Sequence, residues 1–424
     1  LKKTNAKKCA FCDSSALSEV IDFGKVALAG GFLKKAEVAK EKKYPLAIVF
    51  CKNCYAVQVR DHIEPEILFA TDYYFSSAIK TLRDHFAEYA IEVTDRFLPA
   101  PKEAMVVEFG CNDGVLLKPL ANHGIGTVIG VDPAKNIIDT VKDKRLELVN
   151  DFFNKTVADS IVKKYGKADL VMANNTFAHI SDINGTTDAV QEVLADNGVF
   201  IFEVHYLGKI IQDMQYDMMY HEHIYYYSLL ALQNHLARHG LVIFDLKLIP
   251  VHGGSIRYYA TKKSSRWAKN ISSRVLDLQK HESELGYDKT QTYQQFAARV
   301  AGKKRQLMRL LDSLKKEGRS VSGYGASGRA NTIIQYCGIT NKYLDLMIDD
   351  SPVKQGLYTP GSHLEIRNNS ALKKNKPDYI LLFAWTFFDE IAAKCTDYLE
   401  NGGRIIVPLP EVRITMHSAG LKVL

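Results

Sequence analysis

From Met105 onward the chain repeats one pattern: a short apolar run, a turn bearing glycine or acid, then a longer stretch with helical spacing. The first runs are Met105-Val-Val-Glu-Phe109, Val128-Ile-Gly-Val131, Asp169-Leu-Val-Met-Ala173 and Val199-Phe-Ile-Phe-Glu203. Strands alternating with helices pair in parallel, covered on both faces. The pattern therefore predicts an α/β fold built on a Rossmann-like sheet. Trp267 to Lys316, rich in Gln, Lys and Arg, reads as one or two long helices. The alternation then resumes at Ser320-Val-Ser-Gly323, Tyr343-Leu-Asp-Leu-Met-Ile348, Tyr379-Ile-Leu-Leu-Phe383 and Arg404-Ile-Ile-Val407, predicting a second, smaller Rossmann-like domain. A chain of 424 residues exceeds one hydrophobic core. The expected division is a module over 1–63, a central domain over 64–265 and a C-terminal domain over 266–424. The central domain has a helical lead-in from Glu64 to Phe97, which Pro99-Ala-Pro101 ends.

Four of the seven cysteines stand as two Cys-x-x-Cys pairs, Cys9/Cys12 and Cys51/Cys54. Each short spacing lets two sulfurs grip one ion, and four thiolates close a tetrahedral zinc site. With all four positions filled, such a zinc is structural. The odd count, with no secretory pattern, argues against a disulfide framework.

Glu108-Phe-Gly110-Cys-Asn112-Asp113-Gly114 follows the first strand and precedes a helix, with glycines where the backbone must turn beside a ligand. Asp132 ends the next strand, where an acid can accept both hydroxyls of a ribose. A generic dinucleotide turn is the alternative, but the third glycine of that fingerprint is missing. The Glu-x-Gly-x-x-x-Gly form resembles the first motif of class I methyltransferases, which implies S-adenosylmethionine as cofactor. Asp151-Phe152 and Asn174 fall where that fold places contacts to adenine and to the methionine part.

Tyr220-His-Glu-His-Ile-Tyr-Tyr-Tyr-Ser228 concentrates titratable and phenolic groups beyond what packing needs. A metal pair of His221 and His223 is one reading. However, residues two apart face opposite sides of a strand and do not converge on a helix. The other reading is a neutral imidazole base, His223, oriented by Glu222 or Tyr220. His179 leaves the strand end at Ala173 and joins the candidates. Gly323-Tyr-Gly-Ala-Ser-Gly328-Arg329 has the Gly-x-Gly-x-x-Gly shape whose amides can face an anion.

Taken together, these motifs resemble the sugar C-methyltransferases that act on nucleotide-linked 4-keto-deoxysugars. The resemblance covers nearly the whole chain. It also draws on Tyr73-Tyr74-Phe-Ser76-Ser77, His252-Gly-Gly-Ser-Ile-Arg257 and Lys354-Gln-Gly-Leu-Tyr358-Thr-Pro-Gly361. It implies a zinc-binding module, a class I methyltransferase domain and a C-terminal Rossmann-like domain that helps hold the nucleotide diphosphate. It implies His223 as the base beside the ketone, with Tyr74, His179, Tyr220 and Glu222 around the sugar. Ser76, Arg257, Tyr324, Ser327, Arg329, Lys354 and Tyr358 are the residues expected at the substrate. The expected product carries its new methyl on carbon 3. Gly30-Gly31 and Gly328-Arg329, where the family often has Lys-Gly, depart from the family pattern.

Two rivals stay open: an O- or N-methyltransferase of a small natural product, and a zinc-ribbon protein that binds or methylates RNA. The net charge of +7 is mild for a nucleic-acid binder. No apolar run is long enough to span a bilayer. A cytoplasmic monomer or homodimer, without nucleic-acid or membrane partners, is the expectation. The opening Leu1 reads as a trimmed or partial N-terminus.

Overall fold

The computed structural model describes residues 4–5, 7–69, 75–417 and 420–423, and organises most strands into three sheets. The central sheet has seven strands in the order Leu241–Ile249, Ser255–Lys262, Leu194–His205, Ala168–Asn174, Met105–Phe109, Thr127–Val131, Leu146–Val149. Its pairings are parallel except around Ser255–Lys262, which is antiparallel to both neighbours. All five residues of Met105–Phe109 are buried, as a strand covered on both faces requires. The strand order reverses between Met105–Phe109 and Ala168–Asn174. A crevice therefore opens at their carboxyl ends, where this class of sheet binds ligands.

The covering helices start where a polar side chain can replace the missing helical acceptor. Asn154 caps Lys155–Tyr165, Asp182 caps Ile183–Val193 and Ser228 caps Leu229–Arg238. The lead-in resolves into Pro65–Phe69 and Lys80–Phe97; Tyr73 and Tyr74 lie outside the described residues. The polar segment becomes Arg266–Lys269, Ser273–Glu284 and Thr290–Lys316, and Gly286 takes the left-handed φ of +70° at the break.

The C-terminal sheet also has seven strands, in the order Ile366–Arg367, Met347–Ile348, Val321–Tyr324, Tyr379–Leu382, Arg404–Val407, Arg413–His417, Gly420–Val423. Its first five strands are parallel. The strand expected from Tyr343 shrinks to Met347–Ile348, because the amides of Tyr343 and Leu344 bond back to the Thr340 carbonyl in a turn.

The N-terminal sheet holds Leu17–Ala27, Lys43–Cys51 and Val57–Val59, and its fourth strand is Tyr225–Tyr226 from the aromatic cluster. The segment that follows the central strand Leu194–His205 is therefore hydrogen-bonded into the module's sheet. The helix Ser273–Glu284 is tied to the start of Leu229–Arg238 by Glu282, wholly buried, whose carboxylate accepts the amides of Leu229 and Leu230 at 2.8 and 3.0 Å. Burial pushes this carboxyl up to about 7. Glu282→Ala strands two buried donors and should cost about 1–3 kcal/mol, read as a lower denaturant midpoint.

Candidate functional site

The cysteine pairs come together. Cys9 and Cys54 sulfurs lie 3.5 Å apart, Cys12 and Cys51 sulfurs 3.6 Å, and all four fall within 4.8 Å of one another. Each pair sits on a tight turn closed by an amide four residues on, Asp13 to the Cys9 carbonyl and Tyr55 to the Cys51 carbonyl. Asp13 and Tyr55 both take a left-handed φ, +56° and +67°. Cys9, Cys51 and Cys54 are buried, and the neighbouring Cys51 sulfur, with burial, pushes the Cys9 thiol up to about 12. Four soft sulfurs converging from two such knuckles fit a tetrahedral zinc with no position left open. Among the described residues, this is the group of Cys, His and acidic side chains arranged to hold a metal.

At the central crevice, Gly110, Asn112 and Gly114 take φ values of +69°, +49° and +74°. A side chain at Gly110 would collide with Thr176. Asp132, only 6% exposed, accepts the amides of Asn112 at 2.8 Å and Ala134 at 2.9 Å, which anchors the loop to the next strand end. Asn174 donates to Glu108 at 3.0 Å, and burial pushes the Glu108 carboxyl up to about 8. Glu108 Oε2 and Asn174 Oδ1 are buried without a protein hydrogen-bond partner. These two unpartnered oxygens at adjacent strand ends suit a ligand that brings its own polar groups, as the amino-acid end of S-adenosylmethionine does. The lead-in closes over the loop: Ser76 N–H donates to Asn112 Oδ1 at 3.0 Å, and Ser77 Oγ donates to Asp113 at 2.5 Å. Asp151 is exposed and accepts the Phe152 amide, and Phe152 lies at the surface.

The aromatic cluster enters as a turn. His223 Nδ1 lies 2.8 Å from the Met218 carbonyl. A carbonyl only accepts, so Nδ1 carries the proton. Nε2 is left as an acceptor for the Tyr220 hydroxyl, also at 2.8 Å. Burial, with His179, His205 and Arg329 adding positive charge nearby, holds the His223 pKa well below 6.5, so the ring is neutral near pH 7. The His179 ring stands 5.0 Å away, its Nδ1 donating to the Glu222 carbonyl. The Glu222 carboxylate accepts the Gly30 amide of the N-terminal module at 3.1 Å. His221 points elsewhere, to the Pro45 carbonyl at 3.2 Å, so the two histidines do not form a metal pair.

The C-terminal sheet presents its own crevice to this turn. Ser327 caps the helix Gly328–Cys337 by accepting the Ala330 amide, and Gly328 lies against Tyr220. Tyr324 donates to Asp350 at 3.1 Å, and Lys354 to the Ala326 carbonyl at 2.7 Å. Tyr358 exchanges backbone hydrogen bonds with Leu33 of the module. Two residues expected at the substrate are engaged with protein. Arg257, 1% exposed, donates to Glu203 at 2.7 Å and lies over the Tyr89 ring, with His85 on the same carboxylate. The guanidinium of Arg329 is committed to Asp217 at 2.8 Å. Asp217, Gln215 and Trp385, which complete that contact, carry no local sequence signal, because their partners are distant in the chain.

Three family models match the chain: a C-methyltransferase C-terminal domain over residues 250–410, a methyltransferase domain over 82–246, and a proposed zinc binding domain over 9–69. The C-methyltransferase NovU of Streptomyces niveus is 32% identical over 408 residues, 96% of each chain. A ubiquinone biosynthesis O-methyltransferase of Bartonella quintana is 29% identical over 96 residues, 22% of this chain and 38% of that protein. Among solved structures, an S-adenosylmethionine-dependent methyltransferase from Clostridium acetobutylicum is 17% identical, covering 42% of this chain and 92% of its own, with a TM-score of 0.34.

The cysteine cluster generates a direct expectation. Elemental analysis of chain produced in zinc-replete medium should give about one zinc per chain. Cys51→Ser should lose most of the metal, together with thermal stability.

Proposed function

The chain belongs to the C-methyltransferase family, with a class I S-adenosylmethionine-dependent methyltransferase fold, and from that premise we propose that it methylates a carbon beside the ketone of a nucleotide-diphosphate-linked 4-keto-deoxysugar. Carbon 3 is the assigned position and His223 the assigned base. The observation that carries this reading is the single tautomer of His223, with its far nitrogen aimed away from the carbonyl that fixes it. The division of labour among module, central domain and C-terminal domain, with boundaries near residues 63 and 265, belongs to the same proposal.

S-adenosylmethionine supplies a methyl made electrophilic by its sulfonium. Glu108, Asn112 and Asn174 would hold its amino-acid end, with Asp132 on the ribose and Asp151 and Phe152 at the rim near adenine. Ser76 and Ser77 clamp the Asn112–Gly114 loop beside the cofactor position. A hydrogen beside a ketone is acidic because the charge left behind spreads onto oxygen. His223 Nε2 takes that proton, and the Met218 carbonyl stabilises the imidazolium from the opposite nitrogen. Substrate parts the hydrogen bond between Tyr220 and His223, freeing the phenol to donate to the developing enolate oxygen. His179, fixed by the Glu222 carbonyl, offers a second imidazole to the sugar, and Tyr74 lies close in sequence to the clamp. Ser327, Tyr324, Lys354 and Tyr358, grouped around the glycine-rich turn of the C-terminal sheet, would meet the diphosphate and nucleoside.

His223→Asn keeps the side chain polar but cannot take the proton. Methyl transfer should fall by about two to four orders of magnitude, while calorimetric affinity for S-adenosylmethionine stays unchanged. In the intact enzyme the base is neutral above its lowered pKa. The pH profile of kcat/KM should therefore stay flat from neutral pH down through 6.5 and fall only at more acidic pH. A substrate reduced at the ketone should not be methylated; its methylation would favour an oxygen or nitrogen acceptor.

A further inference from the structure

Asp217 lies in the turn Tyr216–Met218 and is completely buried. Its hydrogen-bond donors come from elements that follow two strands of the C-terminal sheet. Arg329 delivers a fork, Nε to Oδ2 at 2.8 Å and Nη2 to Oδ1 at 3.2 Å. The indole N–H of Trp385 adds a third bond, to Oδ2 at 2.9 Å, and the Arg329 guanidinium sits 5.1 Å from that indole ring. Arg329 is the second residue of the helix Gly328–Cys337, and Trp385 follows the strand Tyr379–Leu382. The two therefore flank the point where the C-terminal strand order reverses. Arg329 Nη2 also reaches Gln215 Oε1 at 3.3 Å, and Gln215 donates to the Gly253 carbonyl at 2.8 Å.

The residue after Asp217 is Met218, whose carbonyl fixes the His223 tautomer. A buried carboxylate keeps its place only while paired, and removing one partner of such a pair costs several kcal/mol because the other charge is stranded. The direction of the Met218 carbonyl is therefore tied to a contact that forms only when the C-terminal sheet is docked on the central one.

We propose that Arg329 is a positioning residue: through Asp217 it holds the Met218 carbonyl against His223 Nδ1, so that docking of the C-terminal domain completes the general base. The proposal rests on the assignment of His223 as that base. It reassigns Arg329 from substrate to scaffold. The phosphate-facing amides of the glycine-rich turn and the base-fixing guanidinium then begin the same helix, so a substrate seated on that turn steadies the base it needs.

The test uses the full chain, with histidine nitrogen NMR reading the tautomer of His223, its signal assigned by its loss in His223→Asn. A nucleoside-diphosphate 4-keto-6-deoxyhexose serves as kinetic probe. Arg329→Gln should convert the single Nδ1–H tautomer into a mixture. It should lower kcat by about 10- to 100-fold, with KM for S-adenosylmethionine within about twofold. In the His223→Asn background the same change should cause little further loss. Trp385→Phe, which removes one donor and keeps the packing, should shift the tautomer in the same direction by less, and it serves if Arg329→Gln does not fold. An unchanged tautomer in folded Arg329→Gln and Trp385→Phe would overturn the proposal. So would a rise in KM for the sugar nucleotide with kcat intact, which would return Arg329 to the substrate. If His223→Asn is fully active the base assignment fails, yet the tautomer readout still decides whether Arg329 orients that imidazole.

Discussion

A neutral imidazole with one defined tautomer is the feature on which the rest of this structure converges. Burial makes the charged ring unfavourable, and the Met218 carbonyl decides which nitrogen carries the proton. Neither condition can be met by the Tyr220–His223 turn alone, because a buried turn needs partners for its own polar groups. The partners come from all three sheets. Gly30 donates to Glu222, and Pro45 accepts from His221. His179, just after a central strand, donates to the Glu222 carbonyl, and Arg329 and Trp385, just after two C-terminal strands, hold Asp217.

This arrangement gives the cysteine cluster a physical connection to the site. The ring of Phe11, within the first knuckle, packs 5.1 Å from Tyr225 and 4.5 Å from His235. Asn184 donates to the Ala10 carbonyl at 2.7 Å, from a helix that covers the central sheet. The strand Lys43–Cys51 runs into the second knuckle and pairs with Leu17–Ala27, after which the chain reaches Gly30. A metal that stiffens both knuckles thus stiffens the segment that anchors Glu222. The module thus reaches the Tyr220–His223 turn through Glu222, and the four cysteines sit in the same packed unit.

The sequence was informative where the geometry is local. Cys-x-x-Cys needs only a tight turn to bring two sulfurs together, and Glu108 to Gly114 forms its loop between one strand and one helix. The reversal from apolar runs to helical spacing sufficed for both Rossmann-like sheets. It could not reveal partners set by docking. Nothing near Asp217 announces Arg329 or Trp385, and Tyr225–Tyr226 gives no local hint that it completes a sheet with Gln58 and Val57. Arg257 misled because a polar loop residue and a buried ion-pair residue look the same in sequence; its burial depends on Glu203, Tyr89 and His85 meeting around it. Of the two partners the sequence offered for His223, Glu222 and Tyr220, the hydroxyl of Tyr220, three residues away, lies within hydrogen-bond reach of the ring.

The central claim is that His223 removes a hydrogen from the carbon that is methylated. The most direct measurement separates that step from methyl transfer. The enzyme is loaded with S-adenosylhomocysteine and a nucleotide-linked 4-ketosugar in deuterated water, and uptake of deuterium beside the ketone is followed by NMR. The account predicts steady exchange at that carbon with the intact enzyme and none above background with His223→Asn. Exchange at the intact enzyme's rate in His223→Asn would contradict it and place the base on another side chain.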